Sequence, residues 1–459
     1  MAPYASIIIP THNRASTLPA SIRSALAQTV GDIEVLLVGD GVTPEVRRVA
    51  QAFARQDGRL RFLDLPKAPL RGVANRDLAV REAAAERIFY NDDDDLLLPS
   101  HVEVLGAALD DADIADTPPV SVQPDGSVCL GVHDSAHPAI RRLLIEERFK
   151  SVFDTHLAHR KSAYTENAGA WMAATDRRVV LHMLKFFAGD AALRWTSVHR
   201  ITALSFHGGC RTGMTGEARA REIAHWETRI AAGDLETQIR RAGSYAFYLW
   251  VTLSQLRNLG DPSRDAAARH LVGWLENEVA LDARQTAALG AVRMIVEGTY
   301  PGEADALVAF DDLLEARIGP FFPTGEIVAR FAAACPADFM QRLLAGCRPR
   351  PALALARLHL AAREGAIDAE AVTAVEAAMA ETPEGMRFFF GLAALQCFVA
   401  HGDLDAAWGW SERLREIAPH SYRAQRLWRL RLRIARAQGR AAEAREAVRE
   451  IERLEDCVD

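Results

Sequence analysis

The chain has 459 residues, 49% of them hydrophobic and 25% charged, with a formal net charge of -7 and a pI near 6.1. This size and balance predict a globular chain of two or three domains. This negative charge balance argues against a dedicated nucleic-acid binder, which would normally show a basic stripe.

From Tyr4 to about Leu109, short β-rich runs alternate with helical stretches. Residues 5–10 (ASIIIP), 33–38 (IEVLLV), 60–63 and 87–91 read as strands, whereas 18–28, 44–56 and 75–86 carry helical spacing. Continuous apolar strands separated by amphipathic helices predict a mostly parallel sheet covered on both faces, an α/β domain. Ligands of such sheets bind beyond the carboxyl ends of the strands. Three polar clusters fall at those ends: Thr11-His12-Asn13-Arg14, Gly39-Asp40-Gly41 and the run Asp92-Asp93-Asp94-Asp95. Adjacent carboxylates raise one another's pKa unless a cation or hydrogen bonds neutralise them, and a divalent metal carrying an anionic ligand is the usual remedy.

Between Asp110 and Thr165 the pattern weakens, as expected of loops that face a substrate. Residues 176–187 read as a helix and 202–206 as a last strand. From Glu217 onward the chain is rich in Ala, Leu, Arg and Glu with helical periodicity, so we expect domains at residues 1–212, 213–340 and 341–459. Gly365, Gly402 and Gly439 recur at steps of 37 residues between helical stretches, and Pro383 and Pro419 follow the second helix of their units. This helix-turn-helix repeat resembles the tetratricopeptide class, whose stacked pairs form a partner-binding or self-associating surface; a plain helical bundle is the alternative.

The six cysteines are scattered without a C-x-x-C pair, which suggests reduced thiols and neither a zinc site nor a disulfide framework. No basic leader and no apolar window of about 18 residues is present, so no transmembrane segment is expected. The expected location is the cytoplasm, or the inner face of the membrane as a peripheral protein.

In order and at the right separations, SIIIPTHNR, SIRSALAQTVGDIEVLLVGDG and NRDLAVREAAAERIFYNDDDDLLLP resemble the family 2 glycosyltransferases of GT-A fold. The resemblance covers about the first 210 residues. It implies an inverting, metal-dependent transfer of a sugar from a nucleotide diphosphate sugar to a hydroxyl of a glycan, a lipid-linked sugar or a protein, with Mn2+ or Mg2+ as cofactor. The chemistry requires charge stabilisation, because diphosphate departure builds negative charge while the anomeric carbon becomes oxocarbenium-like.

Residue by residue, Asp92 and Asp94 match the family's D-x-D, which implies Asp94 as direct metal ligand and Asp92 on ribose, metal-bound water or the metal itself. Asp93 belongs with the nucleotide-sugar contacts, and Asp95 orients the acceptor or caps the following helix. Pro10, Thr11 and His12, with Arg14, match the base and ribose pocket. Asp40 matches the base-reading second aspartate of D-D-G, although Gly39 replaces the first. Arg76 reaches the diphosphate or supports the nucleotide pocket, or else is a surface arginine paired with Glu82 or Asp77; Asp77 and Ala79 depart from R-N-x-G. The base that takes the acceptor's proton is expected at Asp176, with Glu166 second and Asp190 third, and Asp176 as a plain helix cap is the alternative. His207 is placed to complete the metal site or to be an ordinary loop histidine.

Asp154-x-His156-x-x-His159 has zinc-like spacing without a further ligand, so ordinary imidazoles are expected there. PTHNRAS lacks the glycine-rich loop that nucleotidyl transfer would want. The remaining alternative is a degenerate transferase that serves as an adaptor through its helical repeats.

Overall fold

In the computed structural model the described residues are 2–131, 134–146, 152–166, 169–176, 178–211, 213–242, 336–347, 351–365, 367–382, 384–418 and 424–455, with isolated positions between 267 and 307. Most of the expected middle domain, Pro383 and Pro419 lie outside them. No helix among the described residues is long and apolar enough to cross a membrane.

The N-terminal region alternates as its apolar pattern demands: β1 (Ala5–Thr11), α1 (Leu18–Leu26), β2 (Ile33–Asp40), α2 (Pro44–Gln56), β3 (Leu60–Leu65), α3 (Pro69–Glu82) and β4 (Arg87–Tyr90). There follow β5 (Leu96–Leu97), α4 (His101–Ala108), β6 (Ile114–Asp116), β7 (Val120–Val122), β8 (Val128–Leu130), α5 (Pro138–Ile145), β9 (Leu157–Arg160), α6 (Lys161–Thr165), α7 (Val179–Gly189), β10 (Trp195–Ser197) and β11 (Ala203–Leu204). The main sheet has seven strands in the order β10-β6-β9-β4-β1-β2-β3, parallel throughout except β9, which runs antiparallel to both neighbours. Strand periodicity sends alternate residues to opposite faces. Ile7 and Ile9 of β1 pack with Leu18, Ile22 and Val46, while Ile8 packs with Val73, Val80 and Phe187, so helices cover both faces.

The antiparallel β9 has a consequence for the site. Its beginning, not its end, lies beside the carboxyl end of β4, and the one-turn 3-10 helix Asp154–His156 that precedes it arrives at the ligand edge. The last expected strand is present as β11, which pairs with β5 directly after the aspartate run.

Two further helices, α8 (Gly216–Ala231) and α9 (Leu235–Ala242), follow the sheet domain, and Arg23 of α1 grips Glu227 of α8 through two bonds of 2.9 and 2.8 Å. The C-terminal region is helical: α10 (Ala337–Gly346), α11 (Pro351–Arg363), α12 (Ala369–Glu381), α13 (Glu384–His401), α14 (Leu404–Ile417), α15 (Gln425–Ala437) and α16 (Ala441–Glu455). Gly365, Gly402 and Gly439 turn the chain between α11 and α12, α13 and α14, and α15 and α16, at φ of 69°, 80° and 68°. Only glycine enters this left-handed region without strain, which explains the 37-residue recurrence. Consecutive hairpins pack on one another, and residues 208–211 pack against α13, joining the sheet domain's last loop to the helices.

Candidate active site

The aspartate run leaves β4 as a tight turn pinned from α1: Thr17 Oγ1 donates to the Asp93 carbonyl at 2.9 Å, and Ser21 Oγ to the carbonyls of Asp92 and Asp95 at 3.0 and 2.8 Å. The four side chains then part company. Asp93 accepts from Thr11 Oγ1 at 2.8 Å and from Arg14 Nη1 at 3.0 Å. Asp94 lies between two guanidinium groups, with Arg14 Nη1 at 2.7 Å from Oδ1 and Arg219 Nη2 at 2.8 Å from Oδ2. Asp95 accepts from Thr155 Oγ1 (2.7 Å), Ser205 Oγ (2.8 Å) and the Phe206 backbone N–H (2.8 Å). It thus clamps the β9 entry and the β11 exit onto the turn. The half-buried Asp92 carboxylate accepts no hydrogen bond among the described residues.

Their protonation follows these partners. Burial alone would raise the Asp94 carboxyl, but Arg14 and Arg219 outweigh it and hold it below the usual carboxylate range. Burial and the Asp94 charge push Asp95 up to about 7. Burial, then Asp154, then Asp95 push Asp92 well above its ordinary value, with Arg76 only partly offsetting them.

Asp154 and Arg76 complete the group. Arg76 Nη1 stands 3.8 Å from Asp154 Oδ2, its guanidinium lies 5.0 Å from the centre of the Trp171 ring, and Nη1 is buried with no hydrogen-bond partner. Arg76 is therefore not the surface arginine weighed from sequence; Arg81 takes Asp77 instead, and Tyr164 donates to Asp77 at 2.7 Å. A buried guanidinium N–H without a hydrogen bond, beside two carboxylates without full bonding, marks a place for an anionic group bridged to them.

The pocket beside β2 is built differently from the expectation. Asp40 accepts from Lys67 Nζ at 2.6 Å, the Ala68 N–H at 2.7 Å and Asn75 Nδ2 at 2.7 Å, and His12 Nδ1 donates to its carbonyl at 2.8 Å. The carboxylate is committed to fastening the segment after β3. That segment holds Leu70, Arg71 and Gly72 at φ of 51°, 58° and 77°, and a Cβ on Gly72 would lie 2.8 Å from Asp40 Oδ2. Two consecutive non-glycine residues in the left-handed region store backbone strain, which concentrates at ligand clamps. Pro10 and Thr11, opposite Val38 and Gly39 in the β1–β2 ladder, form the neighbouring wall.

The remaining expected residues do not join the aspartates. Asp176 precedes α7, half exposed, where it accepts from the Arg178 backbone at 2.8 Å and side chain at 2.7 Å and pairs with His182 Nε2 at 3.0 Å. Burial opposes ionisation there, but Arg178 and His182 outweigh it and keep the carboxyl well below its usual range. Glu166 is exposed at the end of α6, and Asp190 caps the turn after α7 by accepting from the Ala192 N–H at 2.9 Å. His207 bonds Ser121 Oγ at 2.9 Å and packs edge-on to Phe153 at 4.7 Å. Among the described residues Asp92, Asp94 and His207 do not bring three ligand atoms within 4.8 Å of one another, so the expected three-residue metal set is not assembled. His156 accepts from the Val120 N–H and His159 bonds Tyr90 and the Arg160 carbonyl, the ordinary roles expected of that motif.

The family model of Glycosyl transferase family 2 matches residues 6–161, the span that holds Thr11, Arg14, Asp40, Arg76, the aspartate run and Asp154. Residues 6–161 are a family 2 glycosyl transferase domain. Over 95 residues the chain is 33% identical to an uncharacterized glycosyltransferase EpsJ of Bacillus subtilis, covering 21% of this chain and 27% of that one. Over 129 residues it is 35% identical to a chondroitin synthase of Pasteurella multocida, covering 28% of this chain and 13% of that one. The match thus spans under a third of either relative. Among solved structures, the mannosyltransferase PcManGT of Pyrobaculum calidifontis, in complex with GDP-Man and Mn2+, superposes with a TM-score of 0.37 at 14% identity, covering 86% of each chain. The family 2 domain ends before two residues that shape this site, Ser205 and Arg219.

Proposed function

We infer that the chain is an inverting glycosyltransferase that moves a sugar from a nucleotide diphosphate sugar to a hydroxyl of a glycan, lipid-linked sugar or protein. The observation that carries this reading is the meeting, inside a family 2 domain, of Asp92, Asp154 and an Arg76 Nη1 that makes no hydrogen bond, at the carboxyl edge of β4.

The charge count supports a divalent cation, Mn2+ or Mg2+. Asp92, Asp93, Asp94, Asp95 and Asp154 face Arg14, Arg76 and Arg219, a formal excess of two negative charges that is otherwise met by protons on the raised carboxyls. Asp92 fits as a ligand because its oxygens accept nothing else, whereas each oxygen of Asp94 already accepts a guanidinium N–H. Such ions are held by one or two carboxylates plus substrate phosphates, which suits a site with few protein ligands. When bound, the ion would neutralise the leaving diphosphate.

The protein's own groups take the other roles. Arg76 donates to a phosphate oxygen from a desolvated position, where the bond is strong. Thr11, His12 and the strained 70–72 turn wall the nucleoside pocket, with Asp40 holding the turn in place. Asp176 is not assigned the acceptor's proton, because Arg178 and His182 bond its carboxylate and hold it well below the usual range, which makes it a weak base. The helical hairpins are tetratricopeptide-like in this reading, on the strength of their 37-residue step.

The test is thermal stabilisation by UDP, GDP, CDP and dTDP, each with and without Mn2+, followed by turnover of the sugar donor of the best base. One base stabilising only with Mn2+, and turnover abolished in Asp92→Asn, supports the reading. Stabilisation by none of the four, with no turnover on a broad donor panel, overturns it in favour of an adaptor.

A further inference from the structure

We propose that the helical region carries a transition-metal site of zinc type, made by His359, Cys397 and His401. Cys397 and His401 are one turn apart on α13, which puts both side chains on one helix face. His359 comes from α11, the first helix of the preceding hairpin, which packs against α13. Cys397 lies 38 positions after His359, one repeat step of 37 plus one, so stacking the hairpins brings near-equivalent positions side by side.

One ligand atom from each residue lies within 4.8 Å of the other two, and among the described residues no other trio of histidine, cysteine or carboxylate side chains does so. Ligands of a tetrahedral zinc stand about 3.4–3.6 Å apart, so side-chain rotation closes the set.

A second observation points to a ligand. His359 Nε2 is buried without a hydrogen-bond partner, in a residue only 9% exposed, an arrangement that is costly unless something satisfies the nitrogen. Cys397 is fully buried and free, and a metal is what would displace its proton. His401 is exposed at the carboxyl end of α13, so the fourth position faces solvent and the helix dipole favours a cation there. Two imidazoles and a thiolate with one open position suit Zn2+ better than the hard oxygen-seeking ions proposed for the aspartate site. The ion would staple α11 to α13 across successive hairpins.

The experiment titrates the full chain, stripped with a chelator, with Co2+ as a coloured probe and then displaces it with Zn2+. One equivalent should give an intense thiolate-to-cobalt absorption band that Zn2+ bleaches; the aspartate site, offering only oxygen, cannot produce it. Cys397→Ser should remove the band. The exposed His401→Ala, chosen because it leaves the packed core untouched, should weaken Co2+ affinity at least tenfold while circular dichroism stays unchanged. Absence of a thiolate band in the folded wild-type chain, or a band that survives both substitutions, overturns the proposal.

Discussion

Arg219, on the first helix after the sheet domain, donates to Asp94 Oδ2 at 2.8 Å and so reaches back 125 positions to the aspartate run. Its Nη2 also donates to the Phe206 carbonyl at 3.2 Å, tying α8, the β11 exit and the β4 turn at one guanidinium. Breaking one partner of a buried pair leaves the other under-compensated, at a cost of roughly 3 kcal/mol where a second arginine remains. Arg219→Gln should lower the thermal midpoint by several degrees and reduce kcat/KM. In a double-mutant cycle with Asp94→Asn the two losses should be far from additive. Additive losses in calorimetry would show that the contact has no energetic weight.

Arg76 offers a cleaner functional test, because Nη1 makes no hydrogen bond to lose. Arg76→Lys keeps the charge but shortens the reach and gives up the flat contact with Trp171. We expect donor KM to rise about tenfold to a hundredfold, in line with the loss of about 1.4–2.8 kcal/mol of charge-assisted bonding. The thermal midpoint without donor should move little. Steady-state kinetics at varied donor concentration reads this directly; an unchanged KM with a collapsed midpoint would assign Arg76 to structure alone.

Asp95 sets a pH signature. Its carboxyl is held up at about 7 in the folded chain against an ordinary 3.8, so between those values the folded state carries a proton that the unfolded state has lost. Stability from this group is therefore complete below about pH 4 and is lost as pH rises through 7. The full loss is on the order of 4 kcal/mol. Asp95→Asn removes the titration. The midpoint of wild type minus that of Asp95→Asn, followed in chelator from pH 4 to 8, should decline across this window, and Mn2+ should shrink the decline. A flat difference would rule out the buried protonated carboxyl.

Much of this was legible in the chain because burial wrote it there. Residues 5–10, 33–38 and 87–91 are mostly apolar since β1, β2 and β4 are covered on both faces, and the observed strands agree within two residues. The turn at 70–72 had no periodic signal; its left-handed backbone is imposed by Asp40 and Lys67 through tertiary bonds, so the helix seemed to begin only at Asn75. In the sequence Asp154 shows only a zinc-like spacing with His156 and His159, because ligand-edge residues are sought after strands and β9 runs the other way. Arg219 lies past the boundary expected at residue 212, where composition turns helical but the site has not yet ended. The trio of His359, Cys397 and His401 straddles two hairpins, and spacing rules see only ligands that are close in sequence.

The helical region makes its own prediction at Gly391, in the middle of α13. A Cβ there would stand 2.4 Å from Leu414 Cδ2 and 3.1 Å from Met379 Sδ, and Trp410 Nε1 donates to the Gly391 carbonyl at 2.7 Å. The glycine thus permits α14 to approach α13 closely enough for that bond. Replacing glycine by alanine in a helix interior gains about 1 kcal/mol of propensity, whereas overpacking a buried contact costs about 1–3 kcal/mol. Leu414 is fully buried, so moving its Cδ2 aside means repacking its neighbours, and the second effect should win. Gly391→Ala is expected to lower the unfolding midpoint of the helical region by a few degrees, and Leu414→Ala, destabilising alone, should cost less in the Gly391→Ala background because the added methyl enters the space it vacates. A rise in midpoint on Gly391→Ala would mean that the two helices stand farther apart than the Trp410 bond requires.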